Sequence, residues 1–208
     1  MAMVSFIQTS AKNKVLRTIV EQEVIVLPQL LSRQECLSRF GSDYFIEQRI
    51  AAGNLFRLGN GVFAEQKHVP ENAIISHRYP HGVITLLSAF YHYGLTDVIP
   101  DVCDLATSRN AAKIRDVRVR QYFVPDEILY QGAIIDQDHG YPIRLYSKER
   151  LLIELLRYKS KLPFDLYKEV LLSFRKIITQ LNMQDIQEYA MAVPKRQMVM
   201  EALQMEVL

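Results

Sequence analysis

The sequence has little of what covalent cross-linking, secretion or membrane insertion requires. Its two cysteines, Cys36 and Cys103, are too few and too scattered for a disulfide framework, which fits a reducing cytosol. No N-terminal segment joins a basic stretch to an apolar one, so no signal peptide is expected. No apolar run approaches the roughly 20 residues that a membrane span needs. We therefore expect a cytoplasmic protein with no membrane partner.

A strong charge of either sign is also missing. The chain carries 25 Lys and Arg against 23 Asp and Glu, a net charge of +2. Residues 1–68 contain eight Lys or Arg and six Asp or Glu, which is a weak electrostatic footprint for a nucleic-acid-binding domain. A hydrophobic content of 49% in 208 residues predicts an ordinary globular protein of one or two domains.

The first 40 residues predict two helices joined by an extended link. Ser10 is placed to cap a helix that begins near Lys12 and has Leu16, Ile19 and Val20 on one face. The β-branched run Val24–Leu27 predicts the link, and Pro28 stops any helix from running through it. Ser32, with Glu35 three residues later, is a capping-box pattern that starts the second helix, which ends at Phe40 with Cys36 and Leu37 facing inward.

A third helix and a hairpin follow. The third helix begins at Ser42 or Asp43 and runs to Ala52, and Gly53 is placed to end it. Residues 55–58 predict a strand, Gly59–Gly61 a tight turn and residues 62–64 the returning strand. Helices followed by a β-wing in this order predict a winged helix-turn-helix, which usually binds DNA, although such units also serve as protein-interaction modules.

The third helix has one apolar arc and one polar face. At about 100° per residue, Phe45, Ile46 and Ile50 define the buried arc. The opposite face, predicted to enter the major groove, consists of Tyr44, Glu47, Gln48 and Ala51. The amide of Gln48 has the geometry to bind adenine, and the methyl group of Ala51 to contact a thymine methyl.

Three further polar residues complete the predicted DNA contacts. Arg57 and Asn60 on the wing are placed to contact backbone phosphates or the minor groove. Arg49 falls inside the apolar arc by its angle, so we expect its guanidinium to reach a phosphate or to pair internally. The weak charge favours a dimer that binds two half-sites over a single tight-binding monomer.

Residues 69–208 predict a second domain, with residues 1–68 as the first. We expect a short strand at residues 73–75, a buried helix at residues 83–93, and strands at residues 102–106, 117–123, 128–135 and 143–146. Helices are expected at residues 147–158 and 163–181, followed by two short helices separated at Pro194. The fold class is therefore α+β, with a small sheet flanked by helices.

Several segments, in order, resemble a known family. The segment 53–63 resembles the wing of the antitoxins of type IV abortive-infection systems, the AbiE family, and residues 87–97 resemble that family's buried helix and its Gly-Leu-Thr exit. Residues 146–154 resemble its Tyr-Ser-x-Glu-Arg-Thr-Leu-x-Asp segment, with Leu151 in place of Thr and Glu154 in place of Asp. Tyr189-Ala190 before a final helix also fits, so the resemblance spans nearly the whole chain.

The resemblance implies a concrete biology. Proteins of this family are antitoxins encoded beside a nucleotidyltransferase-like toxin, and their winged helix binds inverted repeats at their own promoter and represses it. Their C-terminal domain is needed to neutralise the toxin, and neutralisation is usually described without a stable complex. The resemblance implies a protein that is not an enzyme and needs no cofactor.

The C-terminal part has a candidate working surface of basic residues. The predicted antitoxin surface consists of Lys148, Arg150, Arg157, Lys159 and Lys161. Such a face could hold nucleic acid or an acidic partner. Acidic residues interleave with these cations, so an ordinary solvated helix face remains the alternative, and Arg150 has a further alternative as a residue that fixes its helix to the sheet.

Two rival functions remain open. One is a winged-helix transcriptional regulator whose C-terminal domain binds a ligand or a protein, without a toxin. The other is a metal-dependent nuclease, for which the carboxylates of Asp97, Asp101, Asp104, Asp136 and Asp138 are the candidate Mg²⁺ ligands. No carboxylate-x-Lys pair, phosphate-binding glycine loop or Ser/His/Asp arrangement accompanies them, so we predict neither a catalytic nor a metal site.

Overall fold

The computed structural model describes residues 29–207, in which helices and two small sheets form a mixed α+β fold. The strands are β1 (Leu30–Ser32), β2 (Phe56–Gly59), β3 (Val62–Ala64), β4 (Val83–Ile84), β5 (Cys103–Ser108), β6 (Val119–Val124), β7 (Ala133–Asp138) and β8 (Tyr141–Tyr146). The helices are α1 (Arg33–Phe40), α2 (Asp43–Ala51), α3 (Glu71–Arg78), α4 (Leu86–His92), α5 (Asp126–Leu129), α6 (Lys148–Arg157), α7 (Phe164–Ile177), α8 (Met183–Ala192) and α9 (Arg196–Glu206). The predicted helix from Lys12 and the link Val24–Leu27 lie outside the described residues.

Residues 30–64, here called the N-terminal unit, combine a three-stranded sheet with α1 and α2. The sheet is antiparallel with the order β1-β3-β2, and Leu31 lies opposite Phe63. The predicted capping box at the start of α1 is confirmed. The Ser32 hydroxyl accepts a hydrogen bond from the Glu35 amide at 3.2 Å, and the Glu35 carboxylate accepts one from the Ser32 amide at 2.7 Å. These bonds lower the pKa of Glu35 and fix the entry of α1.

The N-terminal unit has a small core of its own. Its buried members are Leu31, Cys36, Ile46, Leu55 and Phe63, with Leu37, Phe40 and Ile50 packed partly buried around them. Gly53, with φ +74°, ends α2 in the left-handed region as the sequence predicts. The hairpin turn falls at Asn60 and Gly61, also as predicted.

Residues 71–207, here called the sheet unit, are built on a five-stranded sheet with the order β6-β5-β4-β8-β7. The pairs β5–β6 and β4–β8 are parallel, whereas β4–β5 and β7–β8 are antiparallel. Helix α6 lies at the centre of the helices, with every residue from Arg150 to Leu156 buried, and it contacts α4, α7, α8 and α9. The predicted boundary between residues 68 and 69 falls in the connection between β3 and α3.

Two segments predicted as one element type adopt another. Residues 73–75 form the middle of α3 and not a strand, because Pro70 and Glu71 start a helix whose positive N-terminal dipole favours the Glu71 carboxylate. The predicted helix at residues 83–93 is too long, since Val83 and Ile84 form β4 and the helix begins at Leu86. A short buried strand and a buried helix have the same continuous apolar pattern, so periodicity alone does not separate them.

Two predicted strands also need correction. The segment 128–135 divides into the helical turn α5 after Pro125 and the strand β7 from Ala133, with Gly132 at φ +73° between them. The strand predicted at residues 117–123 begins two residues later, because Val117 lies in the preceding turn, where it is 92% exposed. Strand β6 begins at Val119 and is an edge strand, so it pairs with β5 on one side and has no neighbouring strand on the other.

Candidate functional site

Helix α2 is held to the N-terminal unit by two isoleucines. Ile46 is buried against the small core, and Ile50 packs partly buried at its margin. The predicted third member of this arc, Phe45, is wrong, because its side chain is 51% exposed. Phe45 instead contacts Tyr44 edge-on, with ring centroids 5.5 Å apart. The narrow anchor leaves most of the α2 circumference open to solvent.

The outward face of α2 is exposed at every residue predicted to contact DNA. Tyr44 is 66% exposed, and Glu47, Gln48 and Ala51 are also exposed. The Gln48 side-chain amide donates a hydrogen bond to the Tyr44 hydroxyl at 2.8 Å. This contact orients the Gln48 amide along the helix surface before any ligand arrives.

The hairpin contributes a cation to the same surface. Arg57 on β2 pairs with Glu47 on α2, with 2.5 Å between its Nη2 and the carboxylate, and both side chains are more than half exposed. Its guanidinium carbon also lies 5.5 Å from the Phe63 ring centroid. Asn60 is exposed at the tip of the turn. The structure therefore brings Arg57 to Glu47 on the exposed face that also carries Gln48, and leaves Asn60 exposed at the hairpin turn.

Arg49 is exposed and stacks within the N-terminal unit. Its guanidinium carbon lies 4.4 Å from the centroid of the Phe40 ring, a cation–π arrangement. The expectation of an internal partner is confirmed, although the partner is an aromatic ring and not a carboxylate.

The predicted basic surface on the sheet unit is wrong at Arg150. That side chain is fully buried, with its Nη2 2.8 Å from the Glu154 carboxylate and its guanidinium 4.9 Å from the Tyr146 ring. The Arg157 side chain is only 12% exposed and donates to both Glu154 oxygens at 2.7 Å. The residues come together because Arg150 and Arg157 lie three or four residues from Glu154, within one turn of α6. The sequence alternative, in which Arg150 fixes its helix to the sheet, is the one observed.

The remaining cations of that surface are exposed or partly exposed but scattered. Lys159 pairs with Glu206 of α9 at 2.6 Å. Lys161 and Lys148 lie 5.2 Å from the rings of Tyr158 and Tyr93, respectively. Each lysine is thus held by a different neighbour, and the five predicted residues do not form one continuous basic patch.

The acidic residues do not converge. Asp104 is buried on β5 and accepts a hydrogen bond from the Leu87 amide at 3.0 Å, which caps α4 from a neighbouring strand. Burial raises the pKa of Asp104 to about 6, although Arg120, 3.6 Å away, opposes the shift. Asp136 lies 3.1 Å from His92, whose hydrogen bond lowers the pKa of that carboxyl group. Within residues 29–207, no three His, Cys, Asp or Glu residues are placed to hold a metal ion together.

Sequence reasoning missed a cavity of about 610 Å³ at the end of β5 that is bounded by the loop from residue 109 to 118. Its walls combine small and apolar residues with four basic ones. The available sequence signal was the pair of small residues Ala111 and Ala112 between the cations Arg109 and Lys113. Hydrophobic periodicity describes single helices and strands, so it does not predict a cavity that forms between elements.

Comparison with known proteins supports the fold. Neither a protein-family model nor a curated protein matches the sequence. Among solved structures, the chain is similar to the RV2827C protein of Mycobacterium tuberculosis, with a TM-score of 0.60 and 14% identity over 85% of this chain and 72% of that chain. No helix within residues 29–207 has both the length and the apolar character to cross a bilayer. The likeness at this identity concerns the fold alone, a mixed α+β arrangement.

Proposed function

We propose that the protein is a DNA-binding autorepressor of its own operon and the antitoxin of a type IV abortive-infection system. The observation that carries the DNA-binding half is the free outward face of α2 beside the β2–β3 hairpin. Tyr44, Glu47, Gln48 and Ala51 are all exposed there, and Arg57 of the hairpin reaches the same surface. A recognition helix and its wing need this arrangement to enter a major groove and to contact the adjacent backbone.

The order of elements in the N-terminal unit supports a winged helix-turn-helix. One strand, two helices and a hairpin follow each other, and the second hairpin strand, β3, pairs with β1. Helices α1 and α2 are joined by Gly41 and Ser42 alone, a turn short enough for a helix-turn-helix. In this proposal α2 is the recognition helix and the hairpin is the wing.

Charge favours a dimeric mode of binding. The exposed pairs Arg33–Asp43, Arg39–Glu65 and Arg57–Glu47 neutralise much of the positive charge of the N-terminal unit. A single copy would therefore make few uncompensated phosphate contacts, and two copies on inverted repeats would double them. Glu47 separates from Arg57 on DNA, which frees the arginine for a phosphate.

The antitoxin half rests on the sequence resemblance to the AbiE family. In that proposal the sheet unit counters a nucleotidyltransferase-like toxin, with or without a stable complex. The candidate residues that remain are the separate cations Lys148, Lys159 and Lys161, together with the largely buried Arg157. Arg150 is excluded, because its burial leaves no atom for a partner.

Fluorescence anisotropy with the DNA upstream of the protein's own gene tests the repressor half. We expect saturable binding that weakens as salt rises, and a preference over a scrambled duplex. Gln48→Ala should weaken specific binding by about 5- to 100-fold, the range for losing one bidentate base contact. Lys168→Ala, exposed on α7, is the matched control and should leave it unchanged. Equal binding to both duplexes contradicts the proposal.

The gene beside this one tests the antitoxin half separately. If it encodes a nucleotidyltransferase-like protein, its expression alone should arrest growth, and co-expression of this chain should restore growth. Restoration should persist with Gln48→Ala, because neutralisation belongs to the sheet unit. Growth arrest that this chain does not relieve contradicts the antitoxin half and leaves the repressor half standing.

The cavity at the end of β5 favours a second candidate function. A volume of about 610 Å³ is within the range of small-molecule sites, which supports a regulator with a ligand-binding C-terminal domain. The two functions make opposite predictions for the neighbouring gene, since this regulator needs no toxin.

A further inference from the structure

We propose that the cavity at the end of β5 binds a small organic anion with an apolar body. The cavity lies between the α3–β4 turn, the end of β5, the loop from residue 109 to 118 and the end of α5. The inference does not depend on DNA binding, because no residue of the N-terminal unit lines the cavity.

The walls are suited to a flat apolar group. Leu129, Ala111 and Ile114 supply aliphatic surface, and the ring of Tyr130 forms one side. The Tyr130 hydroxyl donates to the His81 carbonyl at 3.1 Å, so the polar end of that residue is already satisfied. An uncharged body of a ligand would therefore displace water from mostly apolar surface, which favours binding.

The charged side chains that line the cavity have one sign, and Asp116 and Asp126 lie behind its wall. Arg78, His81, Lys113 and Arg115 line it, and no Asp or Glu does. Arg78 is paired with Asp116 at 2.7 Å, whereas Lys113 and Arg115 form no ion pair with any residue in the range 29–207. Two exposed cations without a carboxylate beside an apolar cavity are complementary to an anionic group on the ligand.

The cavity is built before a ligand arrives. The Gln121 side chain holds the loop from inside, because its oxygen accepts from the Ile114 amide at 2.8 Å. Its nitrogen donates to the Thr107 hydroxyl at 2.8 Å and to the Ala112 carbonyl at 3.2 Å. At the start of the loop, the Ser108 hydroxyl and Asn110 amide both donate to Asp126. Such a preformed wall reduces the ordering cost of binding.

Isothermal titration calorimetry of the full-length protein with 2-naphthoate tests the proposal. Its neutral counterpart, 2-naphthamide, has the same ring system without the charge. We expect one saturable site for 2-naphthoate and binding of the amide that is about tenfold weaker or more, since two cations face the carboxylate. The proposal is overturned if naphthoate gives no saturable heat up to about 1 mM, which is already weak binding for a preformed site. Equal binding of the two compounds also overturns it.

Three variants place the site. The double variant Lys113→Gln/Arg115→Gln should bind naphthoate about tenfold more weakly and bring its affinity close to that of the amide. Ala111→Trp should fill the cavity and abolish binding of both compounds. Lys168→Gln, on α7 and not among the lining residues, is the control and should bind as the unchanged protein does.

The charge variant decides the outcome if Ala111→Trp does not fold. Circular dichroism and the urea midpoint of each variant establish folding before titration. Naphthoate binding that the charge variant leaves unchanged means that the ligand binds elsewhere, and the assignment is then wrong.

Discussion

The ion pairs of the N-terminal unit are exposed, whereas the sheet unit contains a buried pair beside its exposed ones. The pairs Arg33–Asp43, Arg57–Glu47 and Arg39–Glu65, of which Glu65 directly follows the N-terminal unit, have side chains that are all more than half exposed. In the sheet unit, Arg150 and Glu154 are almost completely buried. Exposed pairs contribute little to stability and remain free to exchange partners, whereas a buried pair strongly destabilises the fold when one partner is removed.

The difference separates residues available for binding from residues that hold the structure. In the proposed DNA complex Glu47 and Arg57 separate at low cost, because both side chains are exposed and water replaces each partner. Arg150 and Glu154 have no such freedom, since neither reaches solvent. The buried Arg150 and Glu154 therefore have a structural role in α6, which leaves the outward face of α2 as the stronger binding candidate.

Removing Glu154 should give the largest effect on stability. Glu154→Ala leaves Arg150 buried without its carboxylate, and we expect a loss of about 3–5 kcal/mol in the free energy of unfolding. Urea unfolding followed by circular dichroism measures it. Glu47→Ala, which removes the acid of an exposed pair, is the matched control and should cost less than about 1 kcal/mol. Similar losses for the two variants would remove the contrast between the units.

Titration of Asp104 should give the next largest effect. Its pKa is about 6 in the folded protein against an ordinary 3.8, so the folded state binds more protons between these values. The charged form destabilises the fold above pH 6, and this destabilisation is relieved as the pH falls towards 4. We therefore expect Asp104→Asn to gain about 2 kcal/mol relative to the unchanged protein when the pH rises from 4.5 to 7.5.

Urea unfolding at both pH values measures this difference. Arg120 and Tyr122 are the charged and titratable groups beside Asp104, and they remain in both proteins. Asp101→Asn, at an exposed position close by, should show no such pH dependence. A stability difference between Asp104→Asn and the unchanged protein that is constant with pH contradicts the burial effect.

Removing a helix cap should have different local effects in the two units, because the core of the N-terminal unit is much smaller than that of the sheet unit. Ser32→Ala removes one bond of the capping box of α1, and we expect a loss of about 0.5–2 kcal/mol. Ser147→Ala removes the matching cap of α6, where the Ser147 hydroxyl accepts from the Arg150 amide at 3.3 Å. Hydrogen exchange should show local opening of residues 30–64 in the first variant only, because the small core there has less packing to resist it. Equal protection in both variants contradicts this expectation.

Changes to the Arg57–Glu47 pair should have the smallest effect on stability and a clear effect on DNA. Each single Gln variant should change the free energy of unfolding by less than about 1 kcal/mol. Arg57→Gln should weaken binding to all duplexes and reduce the salt slope by about 1, whereas Glu47→Gln should strengthen binding. Anisotropy titrations over a range of salt concentrations measure both. Opposite signs for the two variants are the decisive result, and a shared sign contradicts the proposed surface.

The sequence correctly predicted the features that neighbouring residues determine by themselves. The capping box at Ser32, the turn at Asn60 and Gly61, and the separation of α8 from α9 at Pro194 all follow from neighbouring residues. Tertiary packing decided the failures. Phe45 has the apolar character of a core residue, but the small core accepts only Ile46 and Ile50 from α2. A charged residue such as Arg150 is expected at the surface, but here it is buried, where it pairs with Glu154 and stacks on the Tyr146 ring. The cavity depends on hydrogen bonds from Gln121 to Ile114, Ala112 and Thr107, and such contacts across a loop leave no periodic pattern in the sequence.

Arg118 of the sheet unit lies beside the hairpin of the N-terminal unit. It pairs with Asp116 at 2.9 Å and with Glu71 at 3.1 Å, and a side-chain carbon at Gly59 would lie only 3.3 Å from its guanidinium. Asp116 also holds Arg78, which lines the cavity. The Asp116 carboxylate thus links Arg78 in the wall of the cavity to Arg118 beside Gly59 of the hairpin, so a ligand that draws Arg78 away leaves Asp116 to Arg118 alone.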